Sequence, residues 1–254
     1  MTIPYQPGII YGPVNSRRLG SSLGLNILPS EGKYCSFNCI YCQYGWTGNV
    51  SSFSELKKNL PDLEKIRTAL EDHLKKYSQI GINLDFITFS GNGEPTLHPE
   101  FEEIVDVVLN LKEKYYPDAK TSVLSNSSNI FNEKVIEALN KLDIRIMKLD
   151  AGIEGVFQKI NKPVFNLSLK DIVTGLKKLK PVYIQTLFLK DVNDSEENLK
   201  DWIDYLIDIN PVKIQIYSLD RPPADDSLRK LESDELRKIA AKVREQTGLQ
   251  IETF

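Results

Sequence analysis

The sequence predicts an α/β fold, a parallel sheet with helices packed outside it. Three observations carry this. Six short runs rich in β-branched and aromatic residues recur along the chain. Each is followed by a helix or a helix-compatible stretch, with apolar residues at helical spacing in the best of them. No composition break, internal repeat or low-complexity tract interrupts the series. Strict βα alternation gives a parallel sheet with right-handed connections. Six units are too few to close an eight-fold barrel. An open, partial barrel and a doubly wound sheet both fit the periodicity.

Residues 1–22 read as an appended loop, an N-terminal arm. Leu23–Leu28 is the first run. After it, Leu63, Ile66, Leu70 and Leu74 mark a helix. Asp85–Phe89 is the second run, followed by Phe101, Ile104, Val105 and Val108. Thr121–Leu124 precedes a helix around Val135–Leu139, and Ile144–Leu149 precedes one around Leu167–Leu179. Val182–Phe188 leads to Leu199, Trp202, Ile203 and Leu206, with Asp194 or Ser195 placed to cap that helix. Val212–Leu219 is the sixth run, and Arg221–Leu228 reads as a loop. Leu236, Ile239, Ala240 and Val243 form the last helix, with Ser233 before it and Gly248 just past its end. A chain of 254 residues, at about 150 per domain, makes one large domain or two small ones, and with no composition break a single domain is expected. Its parts are the arm (1–22), the core (23–220) and a C-terminal loop and helix (221–254).

Thirty-two Lys and Arg against thirty-five Asp and Glu give a net charge of −3. That excludes a chain held to nucleic acid by overall positive charge, though not one with a local basic patch. No run of about 20 apolar residues offers a membrane span. The first ten residues lack a secretory pattern, so the expected location is the cytoplasm. The cysteines are more informative. There are three, Cys35, Cys39 and Cys42, all within eight residues. An odd, clustered set argues against a disulfide framework, whereas three thiolates on one short loop suit a soft metal. The Cys-x3-Cys-x2-Cys spacing lets the sulfurs converge on one face. A closed zinc site or a fully thiolate-ligated iron–sulfur cubane needs one ligand more, so three leave an open position, which suits chemistry. Structural zinc completed by His73 or His98 is the alternative.

In parallel βα folds chemistry collects at the carboxyl ends of the strands. The cysteine loop follows the first run and Gly91-Asn92-Gly93-Glu94-Pro95 the second. Ser125-Asn126-Ser127-Ser128 follows the third, and Asp150-Ala151-Gly152 ends the fourth. Four unusual features on one rim mark a site.

Cys35-Ser36-Phe37-Asn38-Cys39-Ile40-Tyr41-Cys42 resembles the cluster loop of the radical S-adenosylmethionine (SAM) superfamily, in which an aromatic residue stands before the last cysteine, as Tyr41 does. Gly91-Asn92-Gly93-Glu94 is similar to the Gly-Gly-Glu-like turn that follows the second strand in that superfamily. The resemblance implies a single radical SAM domain built as a partial (β/α)6 TIM-like barrel with a short N-terminal extension, which resolves the topology. It also implies that Cys35, Cys39 and Cys42 each hold one iron of a [4Fe–4S] cluster, and that SAM chelates the remaining iron. The backbone of Gly91, Asn92, Gly93 and Glu94 would approach the methionine ammonium closely. In related enzymes the reduced cluster cleaves SAM to methionine and a 5′-deoxyadenosyl radical that takes hydrogen from the substrate. The protein orients the cofactor and excludes water and oxygen. A reducing partner such as a ferredoxin or flavodoxin supplies the electron. By strand position, Ser125 and Asn126 would reach the SAM ribose or carboxylate, Asp150 or Gln185 the ribose, and Tyr217 would pack near adenine. A buried Asn or Gln in a barrel equally serves as a satisfied structural group.

A narrower resemblance rests on Gly12-Pro13-Val14-Asn15-Ser16-Arg17-Arg18-Leu19-Gly20, Lys148-Leu149-Asp150-Ala151-Gly152 and Leu219-Asp220-Arg221-Pro222-Pro223. These look like a compact group related to the tRNA wyosine-base synthases. The synthases carry a second cluster on additional upstream cysteines, and this chain has none before Cys35. Arg17, Arg18 and Arg221 read either as a site for a substrate anion, which the bidentate guanidinium suits, or as ties between the arm and the barrel. Trp46, just after the cysteine loop, reads either as a cover for the cluster or as a platform on which a base stacks. Lys75-Lys76 and Lys177-Lys178 read as solvated surface. The substrate implied is a tRNA base, a small metabolite or a glycyl residue of a partner enzyme. The competing reading is a non-catalytic, metal-stabilised interaction protein.

Overall fold

The structure, a computed structural model, describes residues 3–47 and 55–254. One sheet holds eight strands in sequence order: β1 Ile10–Ser16, β2 Gly20–Leu25, β3 Phe86–Phe89, β4 Lys120–Ser125, β5 Ile144–Lys148, β6 Tyr183–Leu187, β7 Lys213–Tyr217 and β8 Ile251–Thr253. β1 and β2 pair antiparallel, and every later neighbour pair is parallel. A spatial order that never doubles back decides the topology, because a doubly wound sheet reverses at a switch point. Among the described residues β1 and β8 do not pair with each other. The result is an open, partial barrel.

The helices are α1 Leu63–Gln79, α2 Phe101–Tyr115, α3 Glu133–Lys141, α4 Glu154–Asn161, α5 Leu169–Leu176, α6 Glu196–Ile209 and α7 Ser233–Thr247. Asp62 caps α1 by accepting from the Lys65 amide at 2.8 Å. Ile66, Leu70 and Leu74 turn inward and are fully buried, each such side chain contributing roughly 1.5–3 kcal/mol. Ser195, not Asp194, caps α6. Trp202 of that helix is fully buried, with its indole N–H on the Leu149 carbonyl at 3.0 Å.

Three expectations need correction. Residues 10–16 of the arm are the edge strand β1, and β2 starts at Gly20 rather than Leu23. Proline offers no N–H to a ladder and is confined to edges and irregularities. Pro13 sits where the β1 register shifts, between Tyr11 and Val14, and that hides the strand from pattern reading. The C-terminal segment adds β8, whose three residues are too few to show alternation. Ser233 is the first residue of α7 and not its cap; Glu232 caps it, in a reciprocal box with Glu235.

Side chains alternate across each strand, and the two rows differ in chemistry. The row facing the helices is mostly apolar: Leu23, Leu25, Ile87, Phe89, Val123, Met147, Ile184, Ile214 and Ile216 are all fully buried. The inward row carries the small and polar residues, with a few apolar ones such as Leu124 among them. Ser22, Thr88 and Ser122 link their hydroxyls across three strands at 2.7 Å and 2.7 Å. Ser22, Gly24, Thr88, Ser90 and Leu124 line a cavity of about 370 Å³ that also touches Gly91, Gly93 and Arg221. Gly24 leaves room for the Tyr11 ring, because a Cβ there would lie 2.2 Å from it.

Candidate active site

The two sequence motifs are joined by their backbones. Tyr34, just before Cys35, pairs with Gly93 as a parallel bridge. Its amide donates to the Asn92 carbonyl at 2.9 Å, and its carbonyl accepts from the Glu94 amide at 3.0 Å. Gly93 has φ +149°, and a Cβ would lie 1.9 Å from the Tyr34 carbonyl oxygen. Only glycine allows this approach.

The other side of the cysteine loop rests on the end of α4. A helix leaves its last carbonyls without intrahelical partners, and here the loop supplies them. The Ile40 amide donates to the Ile160 carbonyl at 3.0 Å, and the Asn38 amide lies 3.0 Å from the carbonyls of both Asn161 and Lys162. Phe37 packs edge-on against Phe157, centroids 5.6 Å apart. The sequence reading passed over α4, whose eight residues carry little periodic signal.

Cys35 and Cys39 are buried, and Cys42 is half-buried. Asn126 donates its side-chain amide to Cys35 Sγ at 3.4 Å, and Asn161 does the same to Cys39 Sγ at 3.4 Å. Burial pushes the Cys35 thiol up to about 12 and the Cys39 thiol up to about 11, against the pull of Lys33. Both are therefore protonated at neutral pH unless a metal displaces the proton. Lys33, also passed over in the sequence, is buried and donates its ammonium to the Gly45 carbonyl at 3.1 Å.

The Glu94 carboxylate is turned into the protein. Oε1 accepts from the Thr96 amide at 3.1 Å, the Thr96 hydroxyl at 2.7 Å and the Ser125 hydroxyl at 2.9 Å, and Oε2 accepts from the Asn126 amide at 2.5 Å. Burial raises its pKa, and these donors pull it back only in part. Asn92 is fully buried, and its side chain fastens the N-terminal segment through Gln6 at 2.8 and 2.9 Å. Gly91 and Gly93, by contrast, face the cavity. Ser125 and Asn126 therefore meet Glu94 and the cysteine loop.

Tyr41, Asp150, Gln185 and Tyr217 share one network, centred on Lys148. Lys148 Nζ pairs with Asp150 Oδ1 at 2.8 Å and donates to the Tyr217 hydroxyl at 3.2 Å. Asp150 Oδ2 accepts from the Tyr41 hydroxyl at 2.5 Å and from Asn161 at 2.9 Å, and Oδ1 also accepts from the Leu187 amide at 2.9 Å. Tyr217 donates to Gln185 at 3.4 Å, and Gln185 donates to Gln215 at 3.3 Å. Burial, then the Asp150 charge, holds the Tyr41 phenol well above its ordinary range. Burial pulls the Lys148 ammonium down, but Asp150 and Tyr217 outweigh it and leave it above its usual range.

The three arginines have separate partners. Arg17 is exposed and pairs with Asp220 at 3.0 Å. Arg18 is held between the rings of Tyr217 and Phe254, 4.6 and 4.7 Å from their centroids, and its buried Nε has no hydrogen-bond partner. Arg221 donates to Gln43 at 2.7 Å. Trp46 is 45% exposed and carries the Lys162 ammonium 4.9 Å from its ring. His98 uses both ring nitrogens on backbone, at Pro61 and Glu100, and His73 faces the Ala69 carbonyl at 2.7 Å. Neither histidine joins the cysteines. No group of three His, Cys, Asp or Glu among the described residues is arranged to hold a single metal ion.

The radical SAM superfamily profile matches residues 32–205. A UPF0026 protein of Helicobacter pylori strain J99 is 34% identical over 237 residues, 91% of this chain and 72% of that one. A radical SAM methyltransferase from Sphaerobacter thermophilus superposes with TM-score 0.67 at 12% identity, covering 92% of this chain and 65% of that chain. The structure of TYW1 with a lysine-pyruvate adduct bound gives TM-score 0.61 at 18% identity, covering 91% of this chain and 76% of the other. At these identities the structures speak for the fold. No helix among the described residues is long and apolar enough to cross a membrane.

Proposed function

The chain belongs to the radical SAM superfamily, whose enzymes use a [4Fe–4S] cluster and SAM, and from that premise we propose where this chain holds each. Cys35, Cys39 and Cys42 hold the cluster as thiolates, and Gly91 and Gly93 receive SAM at the cavity wall. The backbone bridge between Tyr34 and Gly93 is the observation that carries this reading. It fixes the cysteine loop and the glycine turn in one register, as a ligand touching both requires. When bound, the cluster supplies the electron for reductive cleavage of SAM. The chain's own work is positional. Glu94 locks the glycine turn to the end of β4 through two hydrogen bonds, from Ser125 and Asn126, the end of α4 closes the loop, and burial of Cys35 and Cys39 keeps water from their sulfurs.

The substrate is a small polar molecule taken into the barrel. Gln6, Ser16, Gln43, Thr88 and Arg221 give the cavity neutral hydrogen-bonding groups and one cation, and a net charge of −3 disfavours a nucleic acid partner held by charge. A one-electron reducing partner completes the system.

The test is anaerobic reconstitution with iron and sulfide, reduction by dithionite and addition of SAM. The expected product is 5′-deoxyadenosine, lost in a folded Cys39→Ala variant. Equal product from that variant, or stoichiometric zinc with no product, would overturn the assignment.

A further inference from the structure

Lys33 is an unusual residue to bury. Lysine is almost never fully buried unless paired, yet among the described residues Lys33 is the one lysine that is buried, at 4% exposure. No carboxylate among the described residues lies within ion-pair distance of it. Its one hydrogen bond to oxygen is to the neutral Gly45 carbonyl. Gly45 is itself tied back to the loop, its amide donating to the Cys42 carbonyl at 3.0 Å. The side chain is thus held under the cysteine loop by the segment that closes it.

The charges around the thiols are otherwise balanced or remote. Asp150 is neutralised by Lys148 at 2.8 Å, and Glu94 is enclosed by four donors. Through Gly45, whose amide is on the Cys42 carbonyl, this cation is seated beside the cysteine loop with no carboxylate among the described residues to balance it.

We propose that Lys33 is the fixed counter-charge of the cluster site and sets how readily the cluster accepts its electron. This rests on the reading that the three cysteines hold the cluster. Reduction adds one electron from an external donor to an already anionic cluster–thiolate unit, with no bond broken and no proton moved. A buried positive charge seated beside the loop stabilises the more negative state most. In the interior that effect is far larger than at a surface, and charge and hydrogen bonds at the sulfurs are recognised controls of cluster potential. Lys33 does not touch the substrate and is a tuning residue.

Wild type, Lys33→Arg, Lys33→Met and Lys33→Gln are to be reconstituted with iron and sulfide and checked for folding by circular dichroism. Iron and sulfide content and a mediated redox titration, read by electron paramagnetic resonance, follow, all without SAM. In Lys33→Met and Lys33→Gln the equilibrium constant for one-electron reduction is expected to fall at least tenfold, about 59 mV more negative. Lys33→Arg should stay within about threefold of wild type. Retention of the cluster by Lys33→Arg alone, with both neutral variants folded but empty, also supports the counter-charge. Neutral variants that titrate like wild type overturn it. So does loss of the cluster from all three variants, which would make Lys33 only a tether to Gly45. Failure of the wild type itself to take up iron and sulfide falls on the cysteine assignment instead.

Discussion

The two halves of the barrel mouth are held by different means. On the β2–β4 side, the cysteine loop and the glycine turn are joined by backbone hydrogen bonds through Tyr34, Asn92 and Glu94. On the β5–β7 side, Lys148, Asp150, Tyr41, Tyr217 and Gln185 are joined through their side chains. A backbone joint depends on chain direction and on the absence of a side chain at one place. A side-chain joint depends on charge, length and register together. The first should break by steric insertion and ignore charge, and the second should do the reverse.

Gly93→Ala is the sharpest way to break this comparison. The new Cβ would meet the Tyr34 carbonyl oxygen at 1.9 Å in a backbone with φ +149°. The expected cost is roughly 4 kcal/mol or more, with loss of iron retention, read by urea unfolding and metal analysis. A variant that unfolds like wild type and keeps its cluster would mean that the joint is looser than described. Asp150→Asn comes next. It leaves the Lys148 ammonium with no carboxylate beside it, and breaking a buried pair costs about 3 kcal/mol. Adding Lys148→Met should recover a good part of that loss. Strict additivity in the double-mutant cycle would show that the two residues do not act as a pair.

The smallest effect concerns pH and sharpens the contrast. Burial raises Cys35 to about 12 and Cys39 to about 11, above the ordinary thiol value near ~8.5. Groups with a raised folded-state pKa stabilise fully below the unfolded value and lose that contribution as pH climbs toward the folded one. The metal-free protein should therefore lose stability from pH ~8.5 upward. Cys35→Ser with Cys39→Ser should flatten that slope. An unchanged slope would mean that the thiols are solvated before metal arrives.

The same division explains what could be read in advance. Each of the six parallel strands from β2 to β7 was visible, because alternation and helical spacing are local. The Cys35–Cys42 loop and the Gly91–Glu94 turn were visible because their spacing is itself the signal. The pairing of Lys148 with Asp150 and Tyr217 was not, since it depends on a register set between strands far apart in sequence. β1 was hidden by Pro13, β8 by its three residues, and α4 by its shortness. With α4 went Asn161, the donor to Cys39. The inward seat of the Glu94 carboxylate was not legible, since two of its donors, Ser125 and Asn126, come from a strand end more than thirty residues away.

The seating of the cysteine loop on the end of α4 has a consequence in time. Cys39 and Asn161 are 122 residues apart in the chain. At ~5–20 residues per second of synthesis, about 6–24 s separate their appearance. Through that interval the three thiols are outside the ribosome without the shelf that closes over them. Iron and sulfide must then be delivered to a chain whose barrel is already more than half made, and until then the cysteines are ordinary thiols within reach of oxidants.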